Sequence, residues 1–76
     1  MVLPLSHLEP GEQGRIVWIA SEPQLKHRLF YLGFLPEETL TCTFKGLRGY
    51  IRAYRIRDSL ITLRKKTANE IFVEIL

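Results

Sequence analysis

The stretch Ser21-Glu22-Pro23-Gln24-Leu25-Lys26-His27-Arg28-Leu29-Phe30-Tyr31-Leu32-Gly33-Phe34-Leu35-Pro36 reads as one helix with both ends marked. Ser21 with Gln24 has the spacing of a capping box. Glu22 places a negative charge where the helix dipole favours one. Pro23 fits the first turn, where an N–H would have no partner. Leu25, Leu29 and Leu32 recur at helical spacing and predict one buried stripe. Gly33 suits the left-handed position just past the end, with Phe34 folding back as the apolar contact that accompanies it. Pro36 blocks continuation. The predicted helix spans about residues 22–32. Lys26, His27, Phe30 and Tyr31 fall off the leucine stripe at 100° per residue. Two aromatics there either cover a neighbouring loop or form a docking patch.

The segments around this helix read as strands. Pro10-Gly11 marks a turn, and Arg15–Ala20 is a β-branched, aromatic run too short for a helix. Both of its faces are apolar, which predicts a central position. From Glu38 to Lys45, Leu40, Cys42 and Phe44 alternate with threonines, the pattern of a half-buried strand. Gly46 and Gly49 bracket a turn before a strand over Tyr50–Arg57. The preferred inner face there is Tyr50, Tyr54 and Ile56, which makes Arg52 an interruption of it. Asp58-Ser59 supplies a turn, Leu60–Arg64 a strand with Ile61 and Leu63 inward, and Thr67 with Glu70 a capped helical turn. Ile71, Val73 and Ile75 form a last strand. The expected fold is a mostly β domain over residues 1–76. It is a small, mostly antiparallel barrel of about five strands, with one amphipathic helix after the first strand and a short helical turn before the last.

Seventy-six residues allow one domain and a small core, not a large enclosed pocket, which argues against a self-contained enzyme. The apolar fraction of 46% is that of a globular chain. The net charge of +3 hides a segregation: from Lys45 to Lys66 eight bases face the single acid Asp58. Such a segment either attracts anionic partners or simply solvates and guards a strand edge. Met1–Leu5 lacks the charged start and apolar run of a signal peptide, and no run reaches the roughly 20 residues of a membrane span. A lone cysteine, Cys42, suits a reducing compartment, and the expected location is cytoplasmic.

No catalytic constellation is visible. His7 and His27 lie far apart in sequence and read as surface residues. Cys42 alternates with apolar neighbours and reads as a small buried hydrophobe. Lys45-Gly46-Leu47-Arg48-Gly49 lacks the length and ending of a phosphate-binding loop. No ligand cluster for a metal stands out, so no cofactor is expected, with transition-metal binding left as a weak alternative.

The pattern resembles the FeoA family. The carrying residues are Leu5, Leu8 and Gly11; Gly14-x-Ile16; Arg28-Leu29-x-x-Leu32-Gly33-Phe34-x-Pro36; Ile61-x-Leu63-Arg64; and Ala68-x-x-Ile71-x-Val73. The resemblance covers essentially the whole chain and implies a small cytosolic SH3-like barrel of bacterial ferrous iron uptake. It also implies a partner, a membrane ferrous-iron transporter of the FeoB type with a cytosolic G-protein domain. Similar domains end metal-dependent repressors of the DtxR type. Three positions depart from the family pattern. Glu37 follows Pro36 where glycine is usual, Gly49-Tyr50-Ile51 replaces a Gly-Asp/Gly-Pro step, and Arg52 stands where an aliphatic residue is usual. Arg28 beside the stripe is expected to pack its stem and bond its head to a carbonyl or carboxylate.

These readings predict a protein-interaction module without catalysis. Its contact surface would comprise Lys26, Phe30, Tyr31, Phe34 and the outward Phe72. Lys45, Arg48, Arg55 and Arg57 would form a basic surface. The chain would be a monomer or weak homo-oligomer, not inserted in the membrane. The alternatives are a basic barrel binding nucleic acid through Arg48, Tyr50, Arg52, Tyr54, Arg55 and Arg57, and a transition-metal sensor using His7, His27, Cys42 and glutamates.

Overall fold

The computed structural model describes residues 1–76. Six strands form one antiparallel sheet: β1 Val2–Pro4, β2 Gln13–Ile19, β3 Thr39–Lys45, β4 Ile51–Ile56, β5 Ser59–Arg64 and β6 Ile71–Ile75, in the order β1-β6-β2-β3-β4-β5. Helix α1 spans Pro23–Leu32 between β2 and β3, and the single turn α2 spans Lys65–Ala68 between β5 and β6. The count is six strands rather than five. The extra strand, β1, is three residues long and exists only by pairing with β6 at Val2↔Glu74, Leu3↔Val73 and Pro4↔Phe72.

The SH3-like curl is not completed by a backbone ladder, since β1 and β5 are the two ends of the sheet. The gap is bridged by the 3-10 turn Leu5–His7 that follows β1. Arg52 Nε donates to the Ser6 carbonyl at 3.3 Å and the Tyr54 hydroxyl to the Leu5 carbonyl at 3.4 Å, joining β4 to that turn. Inside lies a core of Leu5, Leu8, Ile16, Ile19, Leu29, Phe34, Leu40, Cys42, Tyr54, Ile56, Leu63, Ala68, Ile71 and Val73.

The helix ends as its sequence predicts. Gly33 sits at φ 105°, its N–H bonds Phe30 O at 3.0 Å, and Phe34 N–H reaches back to Leu29 O at 2.9 Å. Those two bonds satisfy carbonyls that a bare helix end would leave open. The start differs. Glu22, not Ser21, is the cap, its carboxylate accepting from Leu25 N and Gln24 N. Ser21 is buried and its hydroxyl donates to Glu70 at 2.8 Å, so the capping box does not form. The helical turn α2 likewise begins earlier than expected and has no side-chain cap.

Two β-bulges redirect side chains. One, between Ile16 and Trp18, turns Val17 and Trp18 both outward. The other, between Cys42 and Phe44, breaks the alternation of β3 and leaves Phe44 exposed rather than inward. In β4 the inner face is Arg52, Tyr54 and Ile56, as preferred, whereas Tyr50 precedes the strand and is exposed. The β4–β5 connection is Arg57-Asp58, one residue earlier than expected, with Arg57 at φ 54°.

Glu37 lies at φ 79°, and Glu38 N–H closes the turn on Leu35 O at 3.0 Å. A proline second and a positive φ third is the type II arrangement, which favours glycine at Glu37. An L-residue held in that region costs about 1–2 kcal/mol, against which glycine's extra chain entropy returns about 0.5–1. Glu37→Gly is therefore expected to stabilise the fold by about 0.5–1 kcal/mol. A rise in the urea midpoint at unchanged slope is the check. A fall would mean that the Glu37 side chain holds the turn.

Candidate functional site

One surface feature lies on the exposed side of α1. A groove lined by His27, Arg28, Phe30, Tyr31 and Leu32 runs along it. Tyr31 is 92% exposed and Leu32 44% exposed. Leu32, expected in the buried stripe, thus belongs to the surface. The buried face is centred on Leu29, with the half-buried Leu25 and Phe30 packed against the core from either side. The Lys26 ammonium lies 5.9 Å from the centre of the Phe30 ring, a cation–π contact at the edge of the groove. Arg28 is exposed and enters no hydrogen bond or ion pair, so its head is free rather than tied down.

Of the residues expected at the contact surface, Lys26, Phe30 and Tyr31 share this groove or its rim. Phe34 does not. It is fully buried in the core, because the chain reversal at Gly33 carries it back under Leu29. Phe72 lies on β6, not among the residues lining the α1 groove, and stacks on Trp18 with ring centres 5.0 Å apart. It is half-buried, so the larger exposed ring at that spot is Trp18.

The basic segment is divided by its partners. Lys45 Nζ pairs with Glu9 at 2.6 Å, and Arg57 pairs with Glu38. Each hydrogen bond holds its glutamate below the usual carboxylate range. Arg52 is only 5% exposed and bonds the carbonyls of Ser6 and Gly49. That leaves Arg48 and Arg55 of the expected basic surface exposed and unpaired, along with Arg64, Lys65 and Lys66. Tyr54, a stacking residue in the nucleic-acid reading, is fully buried, and burial pushes its phenol well above the ordinary range. That removes the central stacking ring from such a surface.

Cys42 is fully buried and burial raises its thiol, so at neutral pH it is the inert protonated form. His7 and His27 are both exposed. No three His, Cys, Asp or Glu side chains are grouped as a metal site. What α1 offers is a shallow, largely apolar groove with Lys26 and Arg28 beside it. No helix is long and apolar enough to cross a membrane.

The profile of the FeoA domain family matches residues 3–75. No curated protein matches the chain. Among solved structures, the FeoA protein of Chlorobium tepidum superposes with a TM-score of 0.92 at 28% identity, over 97% of this chain and 70% of that one. Iron(II) transport protein A of Clostridium thermocellum superposes with a TM-score of 0.91 at 32% identity, over 97% of this chain and 46% of that one. Stenotrophomonas maltophilia FeoA, solved in complex with zinc, shares the fold with a TM-score of 0.81 at 22% identity, over 97% of this chain and 89% of that one. That protein is described as a prokaryotic SH3 domain protein and a candidate activating factor for bacterial ferrous iron transport.

Proposed function

Since the chain belongs to the FeoA domain family, which is linked to ferrous iron transport, we propose that it is an accessory module docking on the cytosolic part of a membrane ferrous-iron transporter. It acts by binding, in the cytoplasm, and not by catalysis. The observation that carries this reading is the α1 groove, where Tyr31 and Leu32 expose apolar surface that the fold itself does not use. An exposed tyrosine beside a leucine and flanked by Lys26 and Arg28 has the make-up of a small interface centre with a polar rim. A bound module shifts a transporter only if it prefers one of its conformations, so the contact must favour one state of the transporter's G domain.

The test is an amide-resolved NMR titration with the G domain of the cognate transporter, at physiological salt. Shifts clustered on residues 26–32 are expected. Tyr31→Ser combined with Leu32→Ser is expected to weaken binding about tenfold or more while leaving the spectrum folded, because neither side chain is in the core. Retained affinity in the folded double variant would remove α1 as the docking site.

A further inference from the structure

A second surface, distinct from α1, is built where the β3–β4 turn meets the start of α2. Lys65 N–H donates to the Tyr50 carbonyl at 2.8 Å, which brings the two segments together although they are far apart in sequence. A hollow between them is lined by Tyr50, Ile51, Arg64, Lys65 and Lys66. Ile51 and Arg64 are direct cross-strand partners at its floor. The 3-10 turn Leu47–Gly49 leads directly into Tyr50; Leu47 is 87% exposed and Tyr50 is 63% exposed. Arg48 between them is exposed and held at φ 57°.

Two properties of this surface point to one kind of occupant. Arg48, Arg64, Lys65 and Lys66 are exposed and no carboxylate pairs with any of them, so the occupant is anionic. The tip also exposes Leu47, an aliphatic side chain that a soluble polyanion would leave wet. An interface that is anionic outside and apolar beneath uses both. We propose that the Leu47–Tyr50 turn and the Arg64–Lys66 segment dock together on an anionic lipid bilayer, with Leu47 entering the headgroup layer and the bases resting on it. Tyrosine suits that boundary because its ring is apolar and its hydroxyl wet. The contact is peripheral and reversible: few bases and one leucine give a weak, salt-sensitive association.

The experiment is co-sedimentation of the full chain with vesicles of phosphatidylglycerol in phosphatidylcholine, and with phosphatidylcholine alone. Association with the anionic vesicles only is expected, decreasing with added salt. At about 1 kcal/mol per base near the surface, Lys65→Gln with Lys66→Gln should lower partitioning roughly 25-fold. Leu47→Ser should lower it about tenfold without changing the net charge. All three side chains are exposed, so circular dichroism should show an unchanged fold. No association with anionic vesicles overturns the proposal. So does association that Leu47→Ser leaves unaltered, because lipid insertion is then absent. Equal or tighter binding of single-stranded RNA, insensitive to Leu47→Ser, would assign the surface to nucleic acid and overturn it as well. No transporter is present in this assay, so its outcome is independent of the α1 docking reading.

Discussion

Phe34→Ala is expected to remove most of the stability of this chain. Phe34 has no exposed surface and packs among the largest buried side chains, with Leu29 of the same helix end beside it in the core. Truncating a buried phenylalanine costs about 3–5 kcal/mol, the lost transfer energy plus the cavity left behind. A 76-residue domain has only about 4–11 kcal/mol in total by the usual per-residue scale. A core this small has few neighbours that can shift to fill the space, which favours the upper end of the range. The urea midpoint should therefore fall to a small fraction of its original value, and amide spectra should lose dispersion at modest denaturant. Phe34→Leu should retain the fold at a cost of about 1–2 kcal/mol. Tyr31→Ser, three positions earlier and almost wholly exposed, should leave the midpoint within about 0.5 kcal/mol. The comparison also separates binding from folding. Loss of transporter binding in Phe34→Ala follows from unfolding, whereas its loss in the Tyr31/Leu32 double variant does not. A fully stable Phe34→Ala would contradict the placement of this ring.

Phe34 also shows how much was legible in the chain. Gly33 and Pro36 mark the helix end, and that ending dictates that the next apolar residue turns inward. The same phenylalanine is expected at a docking patch only if it is grouped with its aromatic neighbours and the reversal at Gly33 is set aside. Local rules were reliable where one segment settles the outcome: the helix end, the alternation of Leu40 and Cys42, and the inner face of Tyr54 and Ile56. They failed where a distant partner decides. Ser21 is an eligible cap, yet its hydroxyl belongs to Glu70, forty-nine positions away. Val2–Pro4 is too short to announce a strand, and β6 makes it one. Phe44 keeps the period of its strand, and a bulge displaces it. In the candidate site, the period of α1 ranks Leu32 above Phe30 as a core residue. Period gives the direction of each side chain but not which flank a neighbouring element covers. The basic segment was visible as composition. Which of its charges are free was not, because Glu9 and Glu38 lie outside it.

Arg52→Ala is expected to be nearly as damaging as the loss of Phe34, and Arg52→Met less so. Arg52 is a buried charge in ion-pair contact with no carboxylate, although its field reaches Glu9 and helps to lower that carboxyl. Its guanidinium instead bonds two carbonyls, Ser6 O at 3.3 Å and Gly49 O, and its stem lines the inner face of β4. Those bonds matter because the sheet does not close on itself. The turn after β1 and the strand β4 are held across the gap by side chains, Arg52 to Ser6 and Tyr54 to Leu5. Alanine deletes the stem, opens a cavity and leaves the Ser6 and Gly49 carbonyls without this donor. Together these amount to about 2–4 kcal/mol. Methionine keeps most of the stem volume and removes the desolvated charge along with its bonds. It leaves the same two carbonyls without this donor but opens no cavity, so a loss of about 1–2 kcal/mol is expected. Amide exchange should report where the strain falls: Arg52→Met should loosen residues 5–8 and 47–50 while the β2–β6 pairing stays protected, because only the first two segments lose a tie. If methionine proves as harmful as alanine, the carbonyl bonds rather than the packing hold the gap closed. If both are tolerated, Tyr54 and the apolar core suffice to close it, and Arg52 is a passenger on the inner face of β4.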